Sequence, residues 1–192
     1  MEIATHRKEV IPSKILGMFI FIGTEVMFFA GLISAYLVIR ATVPFWPPPG
    51  QPRLPIEATA FNSLVLLASG YAIFEAGKRL QSPFLKGQVV RWINITLGLG
   101  LFFVLFQGYE WAQLLGFGMG MRENLYGGLF YIIIGAHAFH VVSALLYMLW
   151  IRGKAIAAGK DGLDPELFAA ARYFWYFVVA VWPVLYGLVY LY

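Results

Sequence analysis

The sequence predicts an all-α integral membrane protein, a bundle of five transmembrane helices. Of its 192 residues, 60% are hydrophobic and only 12% are charged, whereas a soluble domain carries about a quarter charged residues. Five apolar runs are each long enough to cross a hydrocarbon core of ~30 Å as a helix. Most charges and prolines lie in the segments between these runs, as expected for loops outside the bilayer.

The predicted spans cover residues 15–39, 58–80, 92–115, 125–151 and 168–192. We treat them as one transmembrane domain, 15–192, preceded by a polar and basic tail, 1–14. The first run is too long for the apolar core of a signal peptide and ends without a small-x-small cleavage site, so we expect a retained span. The segment 41–57 holds six prolines and therefore cannot be helical throughout.

The distribution of basic residues predicts the orientation of the bundle, because cytoplasmic loops collect Lys and Arg. One side holds three in the tail, four around the second loop and four around the fourth loop, and the opposite side holds only three. On the basic side they are Arg7, Lys8, Lys14, Lys78, Arg79, Lys86, Arg91, Arg152, Lys154, Lys160 and Arg172; on the other, Arg40, Arg53 and Arg122. The N-terminus is therefore expected in the cytoplasm and the C-terminus outside.

Composition and motifs exclude several classes of function. The chain has no cysteine, which excludes disulfides, thiolate catalysis and cysteine-bound iron–sulfur clusters. The net charge of +4 follows from loop basicity and does not indicate nucleic acid as a partner. There is no P-loop and no dinucleotide-binding glycine fingerprint, and no nucleophile–base pair stands out, so we expect no catalytic residue on this chain.

Span two carries two features that predict its packing. Ala68, Ala72 and Ala76 recur every four residues, and small residues at this spacing allow helices to approach closely. Glu75 lies one turn before two basic residues near the end of the span. It is expected to form ion pairs with them at the membrane interface.

Apart from tyrosines and from the charges near the ends of spans two and five, the ionisable side chains within the predicted spans are Glu25, Glu110, His137 and His140. Glu25 is ten residues into span one, ~15 Å deep at 1.5 Å per residue, and His140 is ~16 Å from the same side of the membrane in span four. These two therefore share a level, whereas His137 and then Glu110 lie closer to the outer side. An intramembrane charge is energetically costly and usually has a partner. The shared depth of Glu25 and His140 therefore predicts a contact between them.

Three roles fit this group of polar residues. Two Glu and two His could ligate a metal. However, the motif here is His-x-x-His and not the Glu-x-x-His of helical-bundle metal sites, and it occurs only once. Glu25 and His140 could carry protons through the membrane. They could also form a hydrogen-bonded pair that fixes helix packing or meets a lipid headgroup entering a groove.

Five ordered segments resemble subunit III of haem–copper oxidases. In this sequence they read GMFIFIGTEVMFFAG, FNSLVLLASG, NITLGLGLFFVLFQGYEW, YGGLFYIIIGAHAFHVV and FWYFVVAVW. The family shows Ser-Glu-Val-φ-Phe-Phe (φ, an apolar residue), Leu-Leu-Ala-Ser-Gly, Gly-x-His-Gly-x-His-Val and Trp-His-Phe-Val-Asp-x-x-Trp. The likeness extends over nearly the whole chain from residue 15.

The resemblance implies a non-catalytic subunit of a terminal respiratory oxidase, in the plasma (inner) membrane of a prokaryote. The complex passes electrons from cytochrome c or quinol to O2 in aerobic respiration and translocates protons. Its haems and copper lie in subunits I and II, so we expect no metal and no cofactor on this chain other than phospholipid. Expected partners are subunit I as the main contact, subunit II and other respiratory subunits, and phospholipids; the expected roles are stabilising subunit I, binding lipid and supporting proton uptake.

The resemblance also assigns residues. Glu25 matches the family's intramembrane Glu, His137 and His140 match its His-x-x-His pair, and Arg152 matches the basic residue that ends that helix. The family's lipid contacts include the positions of Glu25, His140 and Arg152. We therefore expect these residues, with His137 and Glu110, to form a lipid-binding or structural polar cluster.

Three departures from the family pattern are visible. Many members have two helices before the Glu-bearing helix, so this chain resembles the five-helix form. The last-helix His and Asp of the family are replaced by Tyr176 and Val179, and Ala138 replaces the Gly between the histidines. Two alternatives remain open at this stage: an accessory membrane protein of nitric oxide reductase or another respiratory complex, and an independent small-solute transporter.

Overall fold

Five long helices form the protein, which a computed structural model describes over residues 12–82, 85–122, 125–157 and 163–192. They are α1 (Ser13–Thr42), α2 (Ile56–Gln81), α3 (Val89–Gly116), α4 (Leu125–Ala157) and α5 (Pro165–Tyr186). A 3₁₀ turn, Lys86–Gln88, precedes α3, and a π-helical turn, Gly187–Leu191, continues α5. Within those ranges there are no strands. All five helices are long and apolar enough to cross a membrane, which confirms the predicted fold class.

Helix ends extend past the predicted spans by up to six residues, as at Ala157 of α4. The spans were predicted from apolar length, whereas helical hydrogen bonding continues into polar sequence beyond the hydrocarbon core. Where a helix stops, local chemistry accounts for it. Gly118 adopts φ +84° after α3, and its N–H and that of Met119 donate to the carbonyls of Leu115 and Leu114, the Schellman arrangement that a glycine permits.

The central helix of the bundle is α5, which packs against α1, α2 and α4, while α2 and α3 form the most extensive helix pair. The buried face of α5 carries large side chains, including the fully buried Trp175 and Trp182. The indole N–H of Trp175 donates to Ser69 Oγ at 3.1 Å and that of Trp182 donates to Ser63 Oγ at 2.7 Å. Two polar contacts thus fix the register of α5 on α2 inside an apolar core.

The buried stripe of α2 differs from the prediction. Ala72 and Ala76 are buried, but Ala68 is exposed. The stripe instead follows Asn62, Leu66, Ser69, Ile73 and Ala76, a spacing of alternating three and four residues that tracks one helix face. Strict four-residue steps drift around the helix, and this drift places Ala68 on the outer side.

The ion pairs predicted for Glu75 are confirmed. Glu75 contacts Lys78 at 3.4 Å and also pairs with Arg79. Both cations belong to the last turn of α2, where positive charge also complements the helix dipole.

The first helix is peripheral. Of its 30 residues only Phe29 and Tyr36 are buried, because α1 leans on α5 and more weakly on α4. An apolar helix in this position is stable only where lipid or another protein covers its outer face. This geometry places Glu25 at the edge of the bundle.

Candidate functional site

Glu25 of α1 and His140 of α4 are in direct contact, as their shared depth predicted. Glu25 Oε2 lies 2.8 Å from His140 Nε2, and the two side chains are 18% and 10% exposed. The other ring nitrogen, His140 Nδ1, lies 2.7 Å from the carbonyl oxygen of Ala136. Since a carbonyl only accepts, Nδ1 carries a proton and donates it.

This geometry fixes the number of protons that the pair holds. With Nδ1 protonated, a contact of 2.8 Å between Nε2 and Oε2 needs one further proton between them. That proton gives either a neutral carboxylic acid donating to a neutral imidazole or an imidazolium donating to a carboxylate. Both forms have zero net charge, which suits a site inside a membrane.

Aromatic side chains surround the pair. The His140 ring lies 5.2 Å from the ring of Phe29, 5.8 Å from that of Phe139 and 6.1 Å from that of Phe28. Phe29 is buried, whereas Phe28 and Phe139 are exposed on the outer face. The pair therefore has an apolar wall behind it and two exposed rings beside its opening.

A cleft of about 500 Å³ opens onto this pair. We call it the Glu25 cleft; its lining residues are Thr24, Glu25, Phe28, Ala136, Phe139 and His140. The Thr24 hydroxyl donates to the carbonyl of Phe21 at 2.7 Å. An apolar opening with a carboxyl and an imidazole inside it can accept a molecule that has both apolar and polar parts.

His137 is buried away from the Glu25 cleft. Its Nε2 lies 3.1 Å from the carbonyl oxygen of Val178 and donates to it. The ring packs 4.9 Å from Trp182 and edge-on to Phe103. The three-residue step from His140 thus places this imidazole in the interior contact between α4 and α5.

Glu110 forms a second polar group at another place in the bundle. Its carboxyl oxygens accept from the Thr59 hydroxyl at 3.1 and 3.0 Å and from Gln107 Nε2 at 3.0 Å. The same amide nitrogen lies 3.2 Å from the hydroxyl of Tyr190, to which it donates. Glu110 and Gln107 together therefore tie α2, α3 and the π-helical turn to one another.

Arg152 is also separate from the Glu25 cleft. Its Nε donates to Asn94 Oδ1 on α3. Twelve residues of helix, ~18 Å, lie between Arg152 and His140. Of the five residues expected in one cluster, the structure thus brings together Glu25 and His140 and distributes the other three over the core and the end of the bundle.

Sequence reasoning missed several partners at these sites. Phe28, Phe139 and Thr24 line the Glu25 cleft because they are neighbours of Glu25 and His140 on two helices whose packing was unknown. Gln107 and Glu110 form an i, i+3 pair, a spacing that predicts a side-chain contact and could have identified Gln107. In the described ranges, no group of three or more His, Asp or Glu side chains is placed to hold a metal ion.

Comparison with known proteins identifies the family. The family model for cytochrome c oxidase subunit III matches residues 3–192. The chain belongs to this family.

Relatives from distant organisms align over most of the chain. Cytochrome c oxidase subunit 3 of Synechocystis sp. is 32% identical over 93% of this chain and 75% of its own length. That of Thermostichus vulcanus is 29% identical over 97% of this chain and 90% of its own. That of Loxodonta africana is 32% identical over 96% of this chain and 72% of its own. As a subunit III, the chain is a multi-pass membrane component of an oxidoreductase complex and has other oxidase subunits as partners.

Proposed function

We propose that this chain is the non-catalytic subunit III of a terminal respiratory haem–copper oxidase. In this role it stabilises subunit I, holds phospholipid and supports proton uptake by the complex. The observation that carries the proposal is the Glu25–His140 pair at the base of a cleft on the outer face of the bundle. Haems and copper belong to subunits I and II, and this chain contributes no catalytic residue.

Phospholipid is the ligand that the Glu25 cleft fits best. The exposed rings of Phe28 and Phe139 offer contact for acyl chains. The pair behind them can donate or accept a hydrogen bond through the shared proton. A lipid held there would cover apolar surface and link the peripheral α1 to α4.

Support of proton uptake follows from the same pair without making it a catalytic site. The shared proton moves between Nε2 and Oε2 with no change in net charge, so the pair can polarise in response to charge nearby. It links no chain of polar residues across the bundle in the described ranges, since His137 and Glu110 bond elsewhere. We therefore propose an indirect role, through the packing and lipid that surround subunit I.

The proposal includes a location and a topology. The complex would lie in the plasma membrane of a prokaryote, with residues 1–14 as a cytoplasmic tail and 15–192 as the transmembrane domain. Subunit I would be the main contact, and subunit II and other respiratory subunits would be further partners. The asymmetry of basic residues supports this orientation.

The function is tested on the complex purified through a tag on this chain. We expect co-purified haem and copper, O2 consumption, and phospholipid that survives detergent washing. In Glu25→Ala, retained phospholipid should fall while haem and copper stay constant. Glu57→Gln, which removes an exposed acidic group from the first turn of α2, serves as the control.

A different set of results would overturn the proposal. Nitric oxide reduction without O2 consumption by the purified complex would assign the chain to another respiratory enzyme. Solute transport by the isolated chain in liposomes would favour a transporter. For the indirect role, Glu25→Gln should keep turnover and proton pumping close to wild type at unchanged subunit content. A large loss of pumping would show direct proton transfer.

A further inference from the structure

Arg172, in the second turn of α5, is a half-buried cation that has no anionic partner in the described parts of the chain. Its Nε–H group is buried and donates to no acceptor in the described ranges. The other half-buried arginines in those ranges are bonded: Arg40 to the carbonyl of Tyr192, Arg79 to Glu75 and Arg152 to Asn94. A buried polar group without a partner costs ~1–3 kcal/mol, and more when it is charged.

The side chain is seated in the seam between α2 and α5. Gly77 of α2 is buried, and a Cβ atom at this position would overlap the guanidinium of Arg172. Gly77 thus makes the space that the guanidinium occupies. The centre of the Tyr173 ring lies 5.7 Å from Arg172 Cζ.

A second unpartnered donor lies one helical turn after Arg172. Tyr176 Oη is buried without a hydrogen-bond partner in the described ranges. Helical side chains tilt toward the N-terminus of their helix, so the Tyr176 ring leans toward Arg172. The fork of guanidinium N–H groups and one O–H donor form a set suited to a phosphate.

The acidic side chains at this end of the described bundle are Glu75, Asp164 and Glu166, and none of them forms an ion pair with Arg172. Glu75 pairs with Lys78 and Arg79, and Asp164 pairs with Lys14. Lys78 follows Gly77 directly and its side chain is 59% exposed. This end of the seam therefore carries excess positive charge and calls for an anion from outside the described chain.

The depth of the seam in the membrane indicates which anion is available to it. Gly77 lies four residues before the end of α2, ~6 Å, and α2 is ~39 Å long. A hydrocarbon core of ~30 Å leaves ~4–5 Å of such a helix in each headgroup layer. The side chain of Arg172 tilts toward the start of α5 at this same surface. Its guanidinium thus lies where lipid phosphates lie.

We propose that Arg172 and Tyr176 bind the phosphodiester of a glycerophospholipid in the seam between α2 and α5. This site is distinct from the Glu25 cleft, which opens between α1 and α4. The guanidinium donates to two phosphate oxygens and the tyrosine hydroxyl to one of them. Acyl chains would lie along the exposed outer faces of the helices.

The test uses the purified oxidase complex in nanodiscs of phosphatidylcholine with a small fraction of spin-labelled phosphatidylglycerol. We expect Arg172→Gln to remove one immobilised lipid per complex and to weaken its binding ~10-fold or more, the loss of a charge-assisted bidentate contact. Tyr176→Phe should weaken it less. Arg91→Gln, which removes an exposed cation at the start of α3, should leave it unchanged. Equal immobilised fractions in Arg172→Gln and Arg91→Gln would overturn the proposal.

Two further arms separate other sources of the anion. Inorganic phosphate at high concentration should not displace the spin-labelled lipid. Displacement of the lipid by free phosphate would show that the site binds a soluble anion instead. Loss of a partner subunit from Arg172→Gln at unchanged lipid content would show a protein carboxylate as the ligand. If Arg172→Gln fails to assemble, a photoreactive phosphatidylglycerol on the wild-type complex should label residues 74–81 or 169–176. Absence of label from both segments would also refute the site.

Discussion

At the scale of single residues, the Glu25–His140 contact shows how a carboxyl is tolerated inside a membrane. The Ala136 carbonyl fixes a proton on His140 Nδ1, and the 2.8 Å contact adds a second proton between ring and carboxyl. The resulting pair is neutral as a whole. The stabilisation therefore depends on both partners, and removing one leaves the other partly buried without a bond.

Replacing Glu25 tests this dependence. Glu25→Ala should destabilise the chain by about 1–3 kcal/mol, because His140 Nε2 loses its partner. Glu25→Gln should cost less, since its amide can donate to a bare Nε2. The measurement is the temperature at which this chain is lost from the purified complex. Equal losses for the two variants would show that the hydrogen bond itself contributes little.

A second residue-scale lesson comes from the serines of α2. Ser63 and Ser69 accept from the indoles of Trp182 and Trp175. Nothing in their local sequence predicts this, because the partners lie more than 100 residues away. A tryptophan that is fully buried needs an acceptor for its N–H. The two serines supply these acceptors, which are needed only because α5 packs on α2.

At the scale of helices, close packing depends on particular glycines. A Cβ atom at Gly100 of α3 would lie 2.6 Å from the Trp175 ring and 2.7 Å from Leu145 Cδ2. At Gly98, two residues earlier, a Cβ atom would meet nothing within 4 Å. The two positions have the same local sequence character and differ in what faces them.

This difference gives a matched pair of substitutions. Gly100→Ala should destabilise the chain by ~1–3 kcal/mol, because extra volume in a packed core forces its neighbours to shift. Gly98→Ala should be neutral or slightly stabilising, since alanine favours helix over glycine by up to ~1 kcal/mol. Chain loss on heating of the purified complex measures both. A harmless Gly100→Ala would show that α3 can move away from α5.

The start of α5 combines a helix cap with an ion pair. Asp164 accepts from the backbone N–H groups of Glu166 and Leu167 at 3.0 and 3.3 Å, and Pro165 occupies the first helical position. Lys14 of α1 pairs with the same carboxyl. Asp164 thus both begins the central helix and ties the peripheral α1 to it.

The ion pair predicts a dependence on pH. The Lys14 ammonium, with help from the two backbone N–H groups, holds the pKa of Asp164 below its ordinary value of 3.8. A lowered carboxyl pKa stabilises the fold above the ordinary value, and this stabilisation is lost as pH falls through it toward the lower folded-state pKa. Asp164→Asn keeps a capping side chain and removes the charge. The difference in stability between wild type and Asp164→Asn should therefore be present at neutral pH and shrink at about pH 3. A gap independent of pH would refute the role of the charge.

At the scale of the whole molecule, the arrangement of five helices places the functional groups at different depths and faces. The Glu25 cleft opens on the outer face between α1 and α4, and Glu110 with Gln107 joins α2, α3 and the π-helical turn. Arg172 occupies the seam between α2 and α5. The bundle thus holds separate polar groups, of which Glu110 is buried in the core and the other two are our proposed lipid sites.

The orientation prediction belongs to this scale and is tested by single cysteines, which the native chain lacks. Lys154→Cys and Arg53→Cys each place a thiol at an exposed position at opposite ends of the bundle. A membrane-impermeant maleimide should label Arg53→Cys in intact cells and Lys154→Cys only after permeabilisation. The reverse pattern would place the N-terminus outside.

The sequence alone determined the helical class and the number of spans, and it predicted the level of each polar residue in the membrane. Apolar run length sets the spans, and the fixed rise of a helix converts sequence position into depth. Equal depth predicted the Glu25–His140 contact correctly. The functional expectation came from the resemblance to the family, because five segments match its pattern in order along the chain.

Only the tertiary structure decided which helix faces meet. Depth does not specify direction around the helix axis, so sequence could not separate His137, which faces Trp182, from His140, which faces Glu25. The same limit put Ala68 on the wrong face and hid the partners of Glu110 and Arg152. A uniformly apolar helix gives no polar side to orient it, and the rotation of each helix is then set by packing against its neighbours.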